Sequence, residues 1–294
     1  MRDSLLVATF AGLGGMLGWG VADFFAKKTV DAVGEIATLF WAQIVGLVPL
    51  LGLLAVVREV PTVHCVDALW LVLFGIVNSV SYLWLYAGFR QGTLSVLSPI
   101  FSSHAVLVVL LSAVVFGEHV SKGQCVAIAV VICGVVAIST TFGDVSTMLV
   151  GRRVGAMPGL RLVAASAVAD AFWFVLFDRF LGPRDWLFFL VLIRVTAAFT
   201  VGVYAIVTGE ALTVPSLRVA PYIGLIGVCD AAAFAAVSYG FSATTHTAII
   251  VVLSSAFSVP TLVLARVFLR ERMATHQKIA ASMIICGIAL VSIR

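Results

Sequence analysis

The sequence predicts an all-α integral membrane protein of ten transmembrane helices, arranged as two inverted five-helix repeats. Of its 294 residues, 62% are hydrophobic and 11% are charged, whereas soluble domains are roughly 45–50% apolar. Apolar runs of about 20 residues, long enough to cross a bilayer, recur along the whole chain. The two halves of the chain also resemble each other in sequence.

Ten runs can be delimited, at residues 5–27, 35–57, 67–90, 93–116, 121–141, 160–181, 185–208, 219–242, 245–269 and 274–293. Helices are favoured over barrel strands, because barrel strands alternate polar and apolar residues. The stretch VLVVLLSAVVF at 106–116 is instead apolar on every face. Each run is therefore expected to be one helix, with its backbone hydrogen bonds made internally.

Sequence matches between the halves indicate a duplication. A shift of 153 residues aligns 94–139 with 247–292, and eleven of these forty-six positions are identical. The most informative matches are Glu118 with Glu271, Gln124 with Gln277, and Ile132-Cys133-Gly134 with Ile285-Cys286-Gly287. Smaller shifts match Val21-Ala22-Asp23 with Val168-Ala169-Asp170 and Gly88-Phe89 with Gly240-Phe241.

The predicted organisation is a first repeat at 1–141, a linker at 142–159 and a second repeat at 160–294. Five helices are an odd number, so the second repeat must enter the bilayer in the opposite orientation to the first. Inverted repeats are typical of secondary transporters, in which two equivalent halves enclose a site near the middle of the membrane.

Three sequence features carry a family resemblance: Gly18-Trp19-Gly20 in the first run, FGEHVSKGQ at 116–124 and LRERMATHQ at 269–277. With them the chain resembles the drug/metabolite transporter superfamily, in its ten-helix EamA-like branch. The second repeat departs from the first feature, having Ser166 and Ala167 in place of the Trp-Gly pair. The resemblance implies a multi-pass protein of the cell membrane, or of the inner membrane in a bacterium. It further implies transport of small organic solutes by alternating access, without identifying the cargo.

Polar residues inside the runs are the candidate substrate-binding or translocation site. A charged group in a bilayer costs about 2.5–3.5 kcal/mol on insertion scales, so each needs a partner, a wet cavity or a function. Asp23, Gln43 and Asn78 on the first three runs correspond in the repeat to three residues on runs six to eight. The candidates are Asp23, Gln43, Asn78, His104, Asp170, Arg194 and Asp230. We expect them to form one polar centre built from both halves.

More than one pairing of the charged residues is compatible with the sequence. Asp170 and Arg194 lie at depths that differ by about 3 Å in a hairpin of two helices, so we expect an ion pair, either holding helices together or serving a substrate or proton. Asp23 has Lys27 four residues later, and such a spacing allows a local pair. Asp230 has no local partner, so its partner is distant in sequence or the carboxyl is protonated.

The charge of this centre indicates the class of cargo. Three acids against one arginine favour a small cationic or zwitterionic solute, such as an amino acid or amine. The chain has no Walker sequence, so energy comes from a gradient, with proton coupling as one route, or transport is exchange or facilitated diffusion. We expect no cofactor, no metal site, no catalytic residues and no nucleic-acid partner. Small molecules and the lipid bilayer are the expected partners. The sequence predicts no particular oligomeric state.

Two other functions are considered, a membrane scaffold or receptor that transports nothing and an intramembrane aspartyl enzyme. Such an enzyme would use two membrane aspartates as acid and base. The sequence GVCD at 227–230 departs from the Gly-x-Gly-Asp form that such proteases carry. A transporter is therefore the preferred interpretation.

Orientation is a conflict between two arguments. With the N-terminus inside, the inner segments carry Arg2, Arg58, Lys122, Arg179, Arg184 and Arg294, and the outer ones carry Lys27, Lys28, Arg90, Arg152, Arg153, Arg161, Arg218, Arg270, Arg272 and Lys278. The positive-inside rule thus places both termini outside, whereas the family resemblance implies that both are cytoplasmic, and we follow the family.

Overall fold

The computed structural model describes residues 2–57, 65–117, 121–139, 157–181, 185–244 and 246–291. These residues form helices and no strands. The helices are α1 (Arg2–Val33), α2 (Glu35–Val57), α3 (Cys65–Gln91), α4 (Leu94–Ser102), α5 (His104–Phe116), α6 (Lys122–Ser139), α7 (Leu160–Leu181), α8 (Trp186–Thr208), α9 (Ala220–Ala243), α10 (Thr247–Ser255), α11 (Ser258–Leu264), a π-turn (Ala265–Leu269) and α12 (Thr275–Val291). The predicted all-α membrane fold is confirmed in this coarse form.

Eight spans among the described residues are long and apolar enough to cross a membrane. Two of them are composite: α4 with α5 makes the fourth, and α10, α11 and the π-turn make the eighth. The predicted fifth and tenth runs are the shorter helices α6 and α12. Ten transmembrane helices therefore remain a prediction, and most of the predicted linker at 142–159 lies outside the described residues.

The breaks within the composite spans have local causes. Pro260 lies four residues after Ala256, the residue that follows the last residue of α10, and a proline ring clashes with the carbonyl four residues before it. Between α4 and α5, side chains contact the backbone carbonyl groups that would otherwise accept the next hydrogen bonds of the helix. The Ser103 hydroxyl donates to the Ile100 carbonyl at 2.6 Å, and His104 Nδ1 lies 3.0 Å from the Phe101 carbonyl.

Apolar side chains point outward and polar ones inward, as a lipid solvent requires. Val114, Phe199 and Ile206 are 83%, 72% and 80% exposed. The buried set includes carboxylates, amides, hydroxyls and a guanidinium. Polar groups in hydrocarbon are costly, so this distribution places the candidate site inside the helix bundle.

Small residues let α1 and α9 approach closely. A methyl group added to Gly18 would lie 2.6 Å from the Cys229 carbonyl oxygen and 2.8 Å from Ala233 Cβ, and one added to Gly14 would lie 2.9 Å from Ala236 Cβ. The Gly14–Gly18 spacing is the small-xxx-small pattern of closely packed membrane helices. This contact sets the positions of the side chains on α1 and α9 that face the centre.

Substituting Gly18→Ala is expected to destabilise the protein by about 1–3 kcal/mol, the usual cost of overpacking. The added methyl group would push directly against the α9 backbone. Thermal unfolding in detergent micelles measures the effect. Gly52→Ala is the matched control, since nothing lies within 4 Å of its Cβ position and alanine favours helix by up to about 1 kcal/mol. Equal behaviour of the two variants would contradict the packing argument.

The helices α6 and α12 make a reciprocal contact. A methyl group added to Gly134 would lie 2.8 Å from Ile284 Cγ1, and one added to Gly287 would lie 3.2 Å from the Ala127 carbonyl oxygen. Gly134 and Gly287 are equivalent under the shift of 153, and Ile284 is equivalent to Val131, which also meets Gly287. The duplicated Gln124 and Gln277 cap these helices, accepting from the backbone N–H three residues earlier at 2.9 and 3.0 Å.

Glu271 connects the end of the eighth span to the start of α4. Its carboxylate accepts hydrogen bonds from Leu94 N at 3.2 Å, from Ser95 N at 2.8 Å and from the Ser95 hydroxyl. The first N–H groups of a helix have no partner within it, and a carboxylate there also complements the helix dipole. Arg270, just before it, holds a left-handed φ of 54°, equivalent to Gly117 with a φ of 68°. Glu118 itself lies outside the described residues.

Replacing Glu271→Ala is expected to cost about 1–3 kcal/mol, because α4 loses acceptors for two buried backbone donors. Glu271→Gln, which keeps one neutral acceptor, should cost less. Unfolding by heat in detergent gives the ranking. Glu210→Ala removes the same charge from an exposed position, so a loss of similar size there would attribute the effect to net charge instead of the cap.

Candidate functional site

All seven predicted site residues are inside the bundle, each with 6% or less of its surface exposed. The structure brings them to two adjoining cavities that share Phe234. Asp23, His104 and Asp170 line the first cavity, and Gln43, Asn78 and Arg194 line the second. Asp230 connects the two sets, because it accepts hydrogen bonds from Tyr82, which lines the first cavity, and from Arg194, which lines the second.

The first cavity combines two carboxylates with an aromatic wall. Asp23 and Asp170 face a space surrounded by Trp19, Tyr82, Phe101, Phe174, Phe234 and Phe257. The Oδ2 atom of Asp23 is buried and has no hydrogen-bond partner among the described residues. A buried charge without a partner is costly, so this oxygen needs a proton, a water molecule or a bound cation.

His104 lies between two aromatic rings, stacked on Phe174 at 5.5 Å and on Phe257 at 6.1 Å between ring centroids. The Phe101 carbonyl can only accept, so His104 Nδ1 carries a hydrogen. Its other nitrogen, Nε2, lies 3.6 Å from Asp170 Oδ2. A favourable contact there requires a proton on either the imidazole or the carboxyl, because two bare acceptors repel. The His104–Asp170 pair can therefore hold one exchangeable proton.

Arg194 forms a buried ion pair with Asp230. Arg194 Nη2 lies 2.5 Å from Asp230 Oδ2, and the Tyr82 hydroxyl donates to the other carboxylate oxygen at 3.3 Å. Gly46 makes room for the guanidinium, since a Cβ there would lie 2.8 Å from Arg194 Cζ. The pair joins α8 to α9, and the guanidinium charge balances that of the Asp230 carboxylate.

The second cavity presents hydrogen-bond donors. Gln43 Nε2 donates to Asn78 Oδ1 at 3.4 Å, which joins α2 to α3. Arg194 Nε also faces this region, buried and without an acceptor among the described residues. The first cavity is therefore rich in acceptors, and the second has an unused cationic donor.

Both cavities are small. Each holds about 10 Å³ of space for the centres of water molecules, which is room for about one water. An organic solute can enter only if the helices around the cavities move apart.

The predicted pairing of the charged residues was wrong. Asp170 contacts His104, and Arg194 pairs with Asp230, so the expected Asp170–Arg194 pair is not formed. Equal depth in the membrane does not fix the direction of a side chain around its helix axis. Lys27 is also not the partner of Asp23, because its ammonium contacts Asp31 at 3.1 Å and the Phe89 carbonyl at 2.7 Å. The expectation of a partner distant in sequence for Asp230 is confirmed.

Sequence reasoning missed most of the aromatic wall. Trp19 and Trp173 line the cavities, whereas Trp84 and Tyr239 are 39% and 49% exposed. The sequence signal that could have identified this wall is a spacing of four residues, about one helical turn, between an aspartate and an aromatic residue. The three cases are Trp19 with Asp23, Asp170 with Phe174, and Asp230 with Phe234.

Comparisons with known proteins identify the fold and the family. No curated protein matches the chain. A solved structure titled "Crystal structure of protein" is similar in fold, with a TM-score of 0.68 and 19% sequence identity over 96% of this chain and 95% of that chain. The sequence model of the EamA-like transporter family matches residues 6–140 and 157–293. The two matched segments cover nearly the whole chain, one for each repeat. Membership of this family indicates a membrane transporter instead of an enzyme. The chain belongs to the EamA-like transporter family, within the drug/metabolite transporter superfamily.

Proposed function

We propose that the protein is a secondary transporter of a small cationic or zwitterionic organic solute. The observation that carries this proposal is the buried Asp23 Oδ2 atom, which has no hydrogen-bond partner among the described residues and belongs to an aromatic cavity beside Asp170. An ammonium group would supply the missing hydrogen bonds to Asp23. It would also be attracted to the faces of Trp19 and the surrounding rings.

The second cavity supports a zwitterion among these solutes. Arg194 Nε offers a donor with no acceptor among the described residues, and Gln43 and Asn78 add amide groups nearby. A solute with an ammonium at one end and a carboxylate at the other would satisfy both cavities at once. A simple amine would use only the Asp23 side.

Alternating access is supported by contacts that are repeated between the halves. A Cβ on Gly75 would lie 2.7 Å from Thr196 Cβ, and one on Gly227 would lie 2.9 Å from Val45 Cβ. These pairs are equivalent under shifts of 151 and 152. His104 and Phe257, equivalent under 153, stack on each other beside the first cavity. We infer an axis in the membrane plane that relates two inverted halves and passes near the site.

Proton coupling is proposed through the His104–Asp170 pair. The pair needs one proton, and it lines the same cavity as Asp23. A cation that arrives at Asp23 would lower the affinity of the neighbouring carboxyl for its proton by repulsion between like charges. Solute binding and proton release would then be linked.

Flux in proteoliposomes tests the function. The panel contains labelled amines, amino acids and nucleosides, with and without a pH gradient. We expect saturable flux of an amine or amino acid that responds to the gradient, and loss of that response in Asp170→Asn. The control, Asp31→Asn, alters an exposed carboxylate at the end of α1. Flux of nucleosides alone would contradict the solute class. No flux of any solute by folded protein would favour a scaffold or receptor.

A further inference from the structure

A groove opens on the outside of the bundle between the eighth span and α12. Its volume is about 230 Å³, counted as space for the centres of water molecules. Leu262, Val263 and Ile285 form an apolar wall, and Arg266 and Lys278 are the basic residues that line it. Arg266 is three residues from the end of the span and Lys278 is three residues into α12. Both cations therefore lie near the boundary between acyl chains and headgroups.

The groove has an excess of positive charge. Arg266 and Lys278 are exposed and form no ion pair with the residues that the structure describes. The stretch from 266 to 278 contains four arginine or lysine residues and one acid. That acid, Glu271, also lines the groove, but its carboxylate is occupied by the start of α4. An anion is therefore the ligand that the free charges favour.

An anionic phospholipid fits this combination of features better than a free anion. Basic pockets between membrane helices recognise acidic headgroups, and the apolar wall continues from the cations towards the membrane core. A soluble anion would use the two cations but would leave the wall without a partner. We propose that this groove binds an anionic phospholipid, with the phosphate at Arg266 and Lys278 and an acyl chain along Leu262, Val263 and Ile285.

The test is direct binding of fluorescent phosphatidylglycerol to the purified protein in mixed micelles, compared with phosphatidylcholine carrying the same label. We expect saturable binding of phosphatidylglycerol only. The double variant Arg266→Gln, Lys278→Gln should bind about 30-fold more weakly, since a cation near a membrane surface contributes about a factor of five. The assay needs no transport, so its failure would leave the transporter proposal unaffected.

Two further variants make the result decisive. Arg161→Gln with Arg218→Gln removes the same charge from exposed positions on the same side of the membrane, and should leave binding unchanged. Arg266→Lys with Lys278→Arg keeps both charges and should retain binding within a few-fold, which guards against a folding defect. The proposal is overturned by equal binding of both lipids, by equal loss in the two double glutamine variants, or by displacement with millimolar inorganic phosphate.

Discussion

Arg194→Met is expected to destabilise the protein by about 3–5 kcal/mol, the range for removing one partner of a buried ion pair. The substitution leaves Asp230 buried without its cationic partner, while the Tyr82 hydroxyl still donates to it. Asp230→Asn should be similarly harmful, because the guanidinium then has no counter-ion. The double variant, Arg194→Met with Asp230→Asn, should recover most of the loss, since no unpaired charge remains. Unfolding of all three in detergent gives the coupling energy.

A more exposed ion pair in the same chain provides the comparison. Arg90 lies 2.7 Å from Glu35 at the ends of their helices, with 49% and 20% of their side chains exposed. Exposed pairs contribute about 0–1 kcal/mol, so Arg90→Met should change stability little. If Arg194→Met were as mild as Arg90→Met, the Arg194–Asp230 pair would not be a determinant of the fold.

The burial of the seven candidate residues could be predicted because the bilayer limits where polar groups can lie. A carboxylate or guanidinium in hydrocarbon is so costly that each of them had to face the bundle interior. The duplication then placed Asp23 with Asp170 and Asn78 with Asp230 on equivalent helices. Burial and grouping follow from these two facts without knowledge of the helix packing.

The partners of those residues could not be predicted in the same way. A sequence gives the depth of Asp170 and Arg194, but the direction of each side chain depends on how every helix is rotated. The aromatic wall was hidden for a related reason. Phe174 and Phe234 would be equally stable against lipid, so their residue type does not indicate an interior position. Only their spacing from an aspartate indicates it.

The broken spans show a different limit. Pro260 lies in an apolar run and its effect on α10 follows from proline chemistry. The break before α5 depends on the Ser103 hydroxyl and the His104 ring reaching back to carbonyls. Those bonds are chosen by the surrounding packing. The same break turns His104 towards Asp170, so local backbone geometry and the site are linked.

Asp23→Asn is expected to reduce flux of the transported solute by about 10- to 150-fold while leaving stability unchanged or increased. The loss corresponds to about 1.5–3 kcal/mol for a hydrogen bond with a charged partner. Stability should not fall, because the Asp23 Oδ2 atom has no hydrogen-bond partner among the described residues that the substitution could remove. Measurements of flux in proteoliposomes and of unfolding in detergent, on the same preparations, test both halves of the expectation.

The combination of results distinguishes a binding carboxylate from a structural one. Arg194→Met and Asp23→Asn both alter charged groups with less than 10% of their surface exposed, yet only the first removes a partner from a completed pair. A residue retained for function commonly costs stability, so loss of flux with unchanged or higher stability would identify Asp23 as a solute ligand. A loss of stability comparable to that of Arg194→Met would instead make Asp23 a structural residue with a partner in the folded protein, and would remove the main support for a cationic or zwitterionic solute.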